Sequence, residues 1–231
     1  MMNSKALRIG AMIAVPAVCA ASAAAEVALS FGYNDLSGSY TSTSATSGSF
    51  SAAASDTLNL QSSGDVTRLI PTTGTAEFAP GFVSSTLADF VINLSVTNIN
   101  VIPGIADGAG TFVLTDVDGD TLTGDIVGVW IAGGLDQTFF NGSLFNVVFN
   151  NNSSDGGIDG TSGDHVDGNL GFPFIYEGAL TQLFLNPGSP FFFDSDFSEV
   201  DTQVLAEILP TPGAATLAGM AGLMVARRRR R

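Results

Sequence analysis

Ala88 to Asn98 reads ADFVINLSVTN, and Thr111 to Ile131 reads TFVLTDVDGDTLTGDIVGVWI. In the first stretch Phe90, Ile92, Leu94 and Val96 fall on one face, while Asn93, Ser95 and Thr97 fall on the other; Val91 is the exception. A period of two with one apolar face predicts a half-buried strand. The second stretch holds two such runs, Thr111 to Val117 and Asp120 to Ile131, meeting at Asp118-Gly119. Both junction residues tolerate positive φ, so the pair predicts a hairpin. Gly124 and Gly128 predict a bulge or a close backbone approach within the second run. Trp130, the only tryptophan, is expected to plug the core.

The same pattern extends in both directions. Ser143 to Phe149 predicts a strand with Phe145, Val147 and Phe149 on one face. Phe172 to Tyr176, Leu180 to Leu185 and Phe191 to Phe193 are short aromatic or apolar runs. In Val200 to Ile208, Thr202, Val204, Ala206 and Ile208 alternate, which favours a last strand over a short helix. Ser37 to Ser55 is rich in Ser, Thr, Ala and Gly. It reads either as a flexible or glycosylated arm or as a polar edge strand and loop, and the spacing of Tyr40 and Phe50 favours the strand. Many short strands with Gly, Asn and Asp turns predict an all-β domain, an antiparallel β-sandwich or related barrel. No repeat of fixed period is visible.

Charge divides the chain into three. Lys5, Arg8 and Arg227 to Arg231 lie at the ends, and Arg68 is the only basic residue between them. All 22 acidic residues lie in the middle, so residues 26–209 carry 1 − 22 = −21. Such a surface repels a phosphate backbone, which excludes nucleic acid as a partner. The single cysteine, Cys19, lies near the N-terminus, which leaves the body without disulfides, cysteine nucleophiles or thiolate metal ligands.

The ends read as targeting segments. Lys5 and Arg8 precede the apolar run Ile9 to Cys19, and Ala23-Ala24-Ala25 offers signal peptidase a small-residue site with Ala23 and Ala25 at the key positions. Residues 1–25 are therefore expected to be a signal peptide, and residues 26–208 an exported acidic domain. At the other end Pro210-Thr211-Pro212 precedes a short apolar stretch, Ala214 to Ala226, and then Arg227, Arg228, Arg229, Arg230 and Arg231. Two prolines end any regular element. The apolar stretch is shorter than the ~20 residues of a full span, and the arginines suit a cytoplasmic stop.

This tripartite layout over residues 209–231 resembles the PEP-CTERM sorting signal of exported bacterial proteins. The resemblance implies cleavage near Pro210 to Pro212 by an exosortase-type membrane protease, after transient anchoring in the membrane. The usual middle residue of that motif is Glu, and here it is Thr211. Leu209-Pro210-Thr211-Pro212-Gly213 also resembles the LPxTG signal of sortase substrates, with Pro212 where that motif needs Thr. An uncut single-pass anchor is the third reading of this end.

Candidate chemistry is sparse. Asp116-Val117-Asp118-Gly119-Asp120 starts like a calcium loop, but Thr121 stands where an EF-hand needs Gly and Val127 where it needs Glu. Asn150 to Asn169 supplies Asp155, Asp159, Asp164 and Asp167 among glycines, hard oxygen ligands that suit weak Ca²⁺ binding. The alternative at both places is a solvated turn. His165 is the only histidine and no G-x-S-x-G elbow occurs. The expectation is an exported, non-enzymatic protein of the cell surface, outer envelope or extracellular matrix, with structural or adhesive work and extracellular polysaccharide as a partner. A calcium-dependent or carbohydrate-binding module is the alternative, and a glycosidase using two carboxylates a further one.

Overall fold

The computed structural model of the chain describes residues 27–54, 64–69, 73–79, 89–134, 137–168, 176–185 and 196–209. Among them are twelve strands: β1 (Leu29–Ser44), β2 (Ser47–Ala53), β3 (Gly64–Arg68), β4 (Gly74–Phe78), β5 (Asp89–Thr97), β6 (Ile105–Thr115), β7 (Thr121–Ala132), β8 (Thr138–Asn150), β9 (Gly157–Asp159), β10 (His165–Asp167), β11 (Tyr176–Leu185) and β12 (Phe197–Leu209). The protein is all-β with antiparallel pairing throughout.

The main sheet closes on itself. Its order runs β12-β11-β8-β7-β6-β5-β2-β1, and β12 also pairs with β1, which completes a ring of eight strands. Of the two expected architectures, the pairing is that of a barrel. The β3–β4 hairpin hangs outside this ring, on the first half of β1 (Leu29 to Tyr33), whereas the second half of β1 (Ser37 to Ser44) pairs with β2. β9 and β10 form a separate ribbon.

Eight strands enclose a space that side chains can just fill, and here they fill it. Trp130 is fully buried, with Phe50 edge-on at 5.0 Å and Phe140 at 4.8 Å. A second aromatic group joins Phe31 to Phe90 (5.7 Å) and Phe112 (5.3 Å), and Tyr33 to Phe90 (5.0 Å) and Phe78 (5.8 Å). The large rings need thin walls. Gly108, Gly128 and Gly142 sit directly opposite one another on β6, β7 and β8. A Cβ on any of the three would lie 2.6–2.8 Å from the Phe140 ring, closer than real contacts allow. The close approach expected at Gly128 is thus met, and Gly124 lies at a register shift against β8 with the Phe112 ring beside it.

Three register shifts keep the apolar face turned inward. On β1 the buried residues are Leu29, Phe31 and Tyr33, then Leu36 and Tyr40, with the shift against β12 between Tyr33 and Leu36. On β8 they are Phe140 and Leu144, then Val147, with Asn146 at φ +53° between. On β11 they are Tyr176 and Leu180, then Leu183 and Leu185. An extra residue in one strand re-aims everything after it. Phe145 therefore does not share a face with Val147 and Phe149: it pairs with the outward Asp125, while Phe149 pairs with the buried Leu122.

Ser37 to Ala54 is not an arm. β2 is paired on both sides, by β1 and β5, so the segment is interior to the ring rather than at an edge. Tyr40 and Phe50 face each other inside, and the serines and threonines between them point out. The last stretch, β12, is the strand that the alternation of Thr202, Val204, Ala206 and Ile208 predicts. The interior is apolar, whereas the outer face mixes hydroxyls and acids with exposed Val113, Val127, Val129, Ile131, Val148 and Leu205. No helix among the described residues is long and apolar enough to cross a membrane. The proposed signal peptide with Ala23 and Ala25, the sorting motif Pro210 to Pro212, Ala214 to Ala226 and Arg227 to Arg231 lie outside the described residues, as do Phe191 to Phe193 and most of Phe172 to Tyr176.

Candidate functional site

One end of the barrel gathers the acidic segments singled out from the sequence. β6 and β7 meet there at Thr115 and Thr121, and Thr121 lies opposite Asn150, where the loop to β9 begins. The turn is built around Asp116. Its Oδ1 accepts the N–H groups of Asp118 (3.3 Å), Gly119 (3.0 Å) and Asp120 (2.8 Å), and its Oδ2 accepts the N–H of Asp159 at 2.9 Å. Gly119, at φ +100°, is the position in this turn that requires glycine. Asp120 reaches the other way: its Oδ1 accepts Ser153 N–H at 2.6 Å and its Oδ2 accepts Ser153 Oγ–H at 3.0 Å. Asn152 Nδ2 donates to Gly119 O at 2.8 Å. Asp116 and Asp120 are both fully buried. Two segments far apart in sequence are thus one network, and its carboxylates organise backbone donors.

A second group forms on the ribbon. Asp159 and His165 are paired across β9 and β10, with Asp159 Oδ1 2.7 Å from His165 Nδ1. Asp155 Oδ1 accepts Gly157 N–H at 2.9 Å. That N–H holds Asp155 down to about 2. Burial raises Asp159, and the hydrogen bond to Asp159, helped by the nearby Asp155 and Asp167 charges, raises His165.

Of the seven aspartates that are candidate ligands from the sequence, five fall into two groups. One ligand atom each of Asp116, Asp118 and Asp120 lies within 4.8 Å of the others, and the same holds for Asp155, Asp159 and His165. Asp164 and Asp167 belong to neither. The fit to calcium is incomplete. Calcium takes six to eight oxygens, whereas the second group includes an imidazole nitrogen and the first has given both oxygens of Asp116 and of Asp120 to N–H or O–H donors.

Asp116 also makes a pH prediction. Burial, with the Asp118 carboxyl beside it, pushes Asp116 up to about 7 from 3.8, against the pull of backbone N–H groups. A carboxyl raised on folding binds its proton more tightly in the native state. Its contribution is fully present below pH 3.8 and is lost as pH rises to about 7. The melting temperature should therefore rise as the pH is lowered from 8 towards 5, read by calorimetry, and Asp116→Asn should flatten that slope.

The one cation of the body staples this end together. Arg68, on β3, is 4% exposed; one guanidinium nitrogen, Nη1, donates to Asp167 O and lies 3.5 Å from Asp167 Oδ2 on β10. Its partner carboxylate is more than half exposed, which limits the ion-pair part, so the hydrogen bond to the carbonyl and the buried stem dominate. Arg68→Met is expected to lower stability by about 2 kcal/mol and to speed amide exchange in residues 157–167, read by hydrogen–deuterium exchange mass spectrometry.

The sequence reading missed a further set. Asn34, Asp65, Glu77, Gln182 and Gln203, from five strands, line a groove on the outer face. Comparison with protein-family models, with curated proteins and with solved structures found no match.

Proposed function

We propose that the chain is an exported, non-catalytic protein of the cell surface or extracellular matrix, whose barrel is a rigid body for adhesion or structure. The observation that carries this reading is how the barrel is filled. Its interior is occupied by Trp130, Phe140, Phe50, Phe31 and their neighbours, and its most buried acids, Asp116 and Asp120, are engaged in holding loops. What such a body offers to partners is its outer surface. The targeting ends supply the rest: signal peptidase at Ala23 to Ala25, an exosortase-type protease at Pro210 to Pro212, and a brief stay in the membrane through Ala214 to Ala226. A reporter fused upstream of Leu209 and fractionated from cells with and without exosortase tests it. Loss of the mature size and of envelope location in the deficient strain is the expected result; identical behaviour in both strains contradicts it.

A second reading, a weak calcium-dependent module, draws on the convergence of Asp155 and Asp159 with His165 and of Asp118 with Asp116 and Asp120. Melts in millimolar Ca²⁺ and in EGTA separate the two. A ligand that binds only the folded state raises the midpoint, so coincident curves remove the calcium reading.

A further inference from the structure

The outer face carries a groove of about 730 Å³ whose floor is one straight row of residues. Gln182, Leu205, Gly32, Asp65 and Glu77 are consecutive cross-strand partners on β11, β12, β1, β3 and β4. Gly32 sits in the middle of this row, and the absence of a side chain there makes the row concave. A Cβ at Gly32 would point into the groove, 3.3 Å from Asp65 Oδ1 and 3.5 Å from Leu205 Cδ1. The bulge on β1 that re-aims its core face also turns Asn34 to the rim, beside Gln203 of β12. The far wall is built by the β9–β10 connection. Thr161 N–H donates to Glu77 O at 2.9 Å and Thr161 Oγ accepts Ala79 N–H at 2.9 Å, which fixes Thr161 and Ser162 along the free edge of β4.

The chemistry of this lining is specific. Asp65 and Glu77 are directly opposite, and like charges so placed repel. The lining contains no Lys, Arg or His. It offers two carboxylates, three carboxamides and two hydroxyls beside the exposed side chain of Leu205. Carboxylates only accept hydrogen bonds, and carboxamides both accept and donate. A ligand that suits them brings many hydroxyl donors and acceptors, no negative charge, and a C–H face for Leu205. The volume falls within the roughly 300–1,000 Å³ of small-ligand sites.

We propose that this groove binds a neutral polyhydroxyl ligand, a segment of uncharged glycan. The proposal rests on the surface-protein reading for where the glycan is met, and it adds the site and the ligand class. Anionic glycans are disfavoured by Asp65 and Glu77 and by the −21 charge of the body.

The test is a glycan array carrying neutral oligosaccharides (gluco-, manno- and xylo-oligomers) and acidic ones (oligogalacturonate), followed by calorimetric titration of any hit. Spermidine and CaCl₂ are titrated alongside. The variants are Gly32→Leu, which fills the floor, and Gln182→Ala/Gln203→Ala, which removes two amides from the outer face without touching the core. The expected result is binding of at least one neutral oligomer, weakened at least about tenfold in both variants, with melting temperatures held. If Gly32→Leu does not fold, the amide variant decides alone. No neutral hit, a hit that survives the variants, or binding of spermidine, calcium or oligogalacturonate alone overturns the proposal. Envelope location without glycan binding would end the groove proposal and leave the export reading standing; glycan binding by a cytosolic protein would do the reverse.

Discussion

Asp116→Ala is expected to lower stability by about 3–4 kcal/mol, because several buried or half-buried N–H groups lose their acceptor and each costs roughly 1–3 kcal/mol if left unmet. The side chain gathers four backbone donors, three within its own turn and one on β9. Water entering the vacated space would recover part of that, which is why the figure stays below the plain sum. The loss should be the same in EGTA and in millimolar calcium, as measured by urea denaturation in each. That equality separates a scaffold from a ligand: if Asp116 served mainly a bound cation, the wild type would lose its advantage over the variant once the cation was chelated. Amide exchange should also rise at Asp159, since its N–H partner is Asp116 Oδ2.

Trp130→Ala should be the most damaging single substitution in the barrel, at about 3–5 kcal/mol, the range for truncating a buried Phe or Trp. The indole is fully buried between Phe50 and Phe140. Around it the wall is held thin by Gly108, Gly128 and Gly142, and paired strands hold those backbones apart, so the barrel cannot collapse into the void. Trp130→Phe, which keeps a ring in place, should recover more than half of the loss. Chemical denaturation of the two variants checks this, and loss of near-UV circular dichroism in Trp130→Ala with far-UV signal retained would mark the same site.

How much of this was legible in the sequence follows from how local each feature is. β5 and β7 were readable because Phe90 to Val96 and the Asp118-Gly119 hairpin carry their signal within a few residues. Trp130 was readable because a lone tryptophan in an alternating run has few other uses. The register shifts on β1, β8 and β11 were not readable, because an extra residue is defined only by the partner strand; Phe145 was misplaced for that reason. The barrel itself depends on β12 pairing with β1, the last and first strands among the described residues, and no local pattern encodes which strand closes a ring. The acids divided in the same way. Asp116 and Asp120 stood out as a motif, but their work depends on Ser153 and Asp159, which belong to another loop. Arg68 stood out as the only cation of the body, with no hint of Asp167. The groove was invisible for the same cause: Gln182, Leu205, Gly32, Asp65 and Glu77 become neighbours only through the pairing of five strands.

The intact mass of the protein recovered from the envelope or medium of its native host tests the central claim most directly, that a self-sufficient acidic barrel is released from two basic targeting ends. The account predicts a chain beginning at Glu26 and ending close to Pro210 to Pro212. A cytosolic protein whose mass includes Met1 and Arg231 would contradict it.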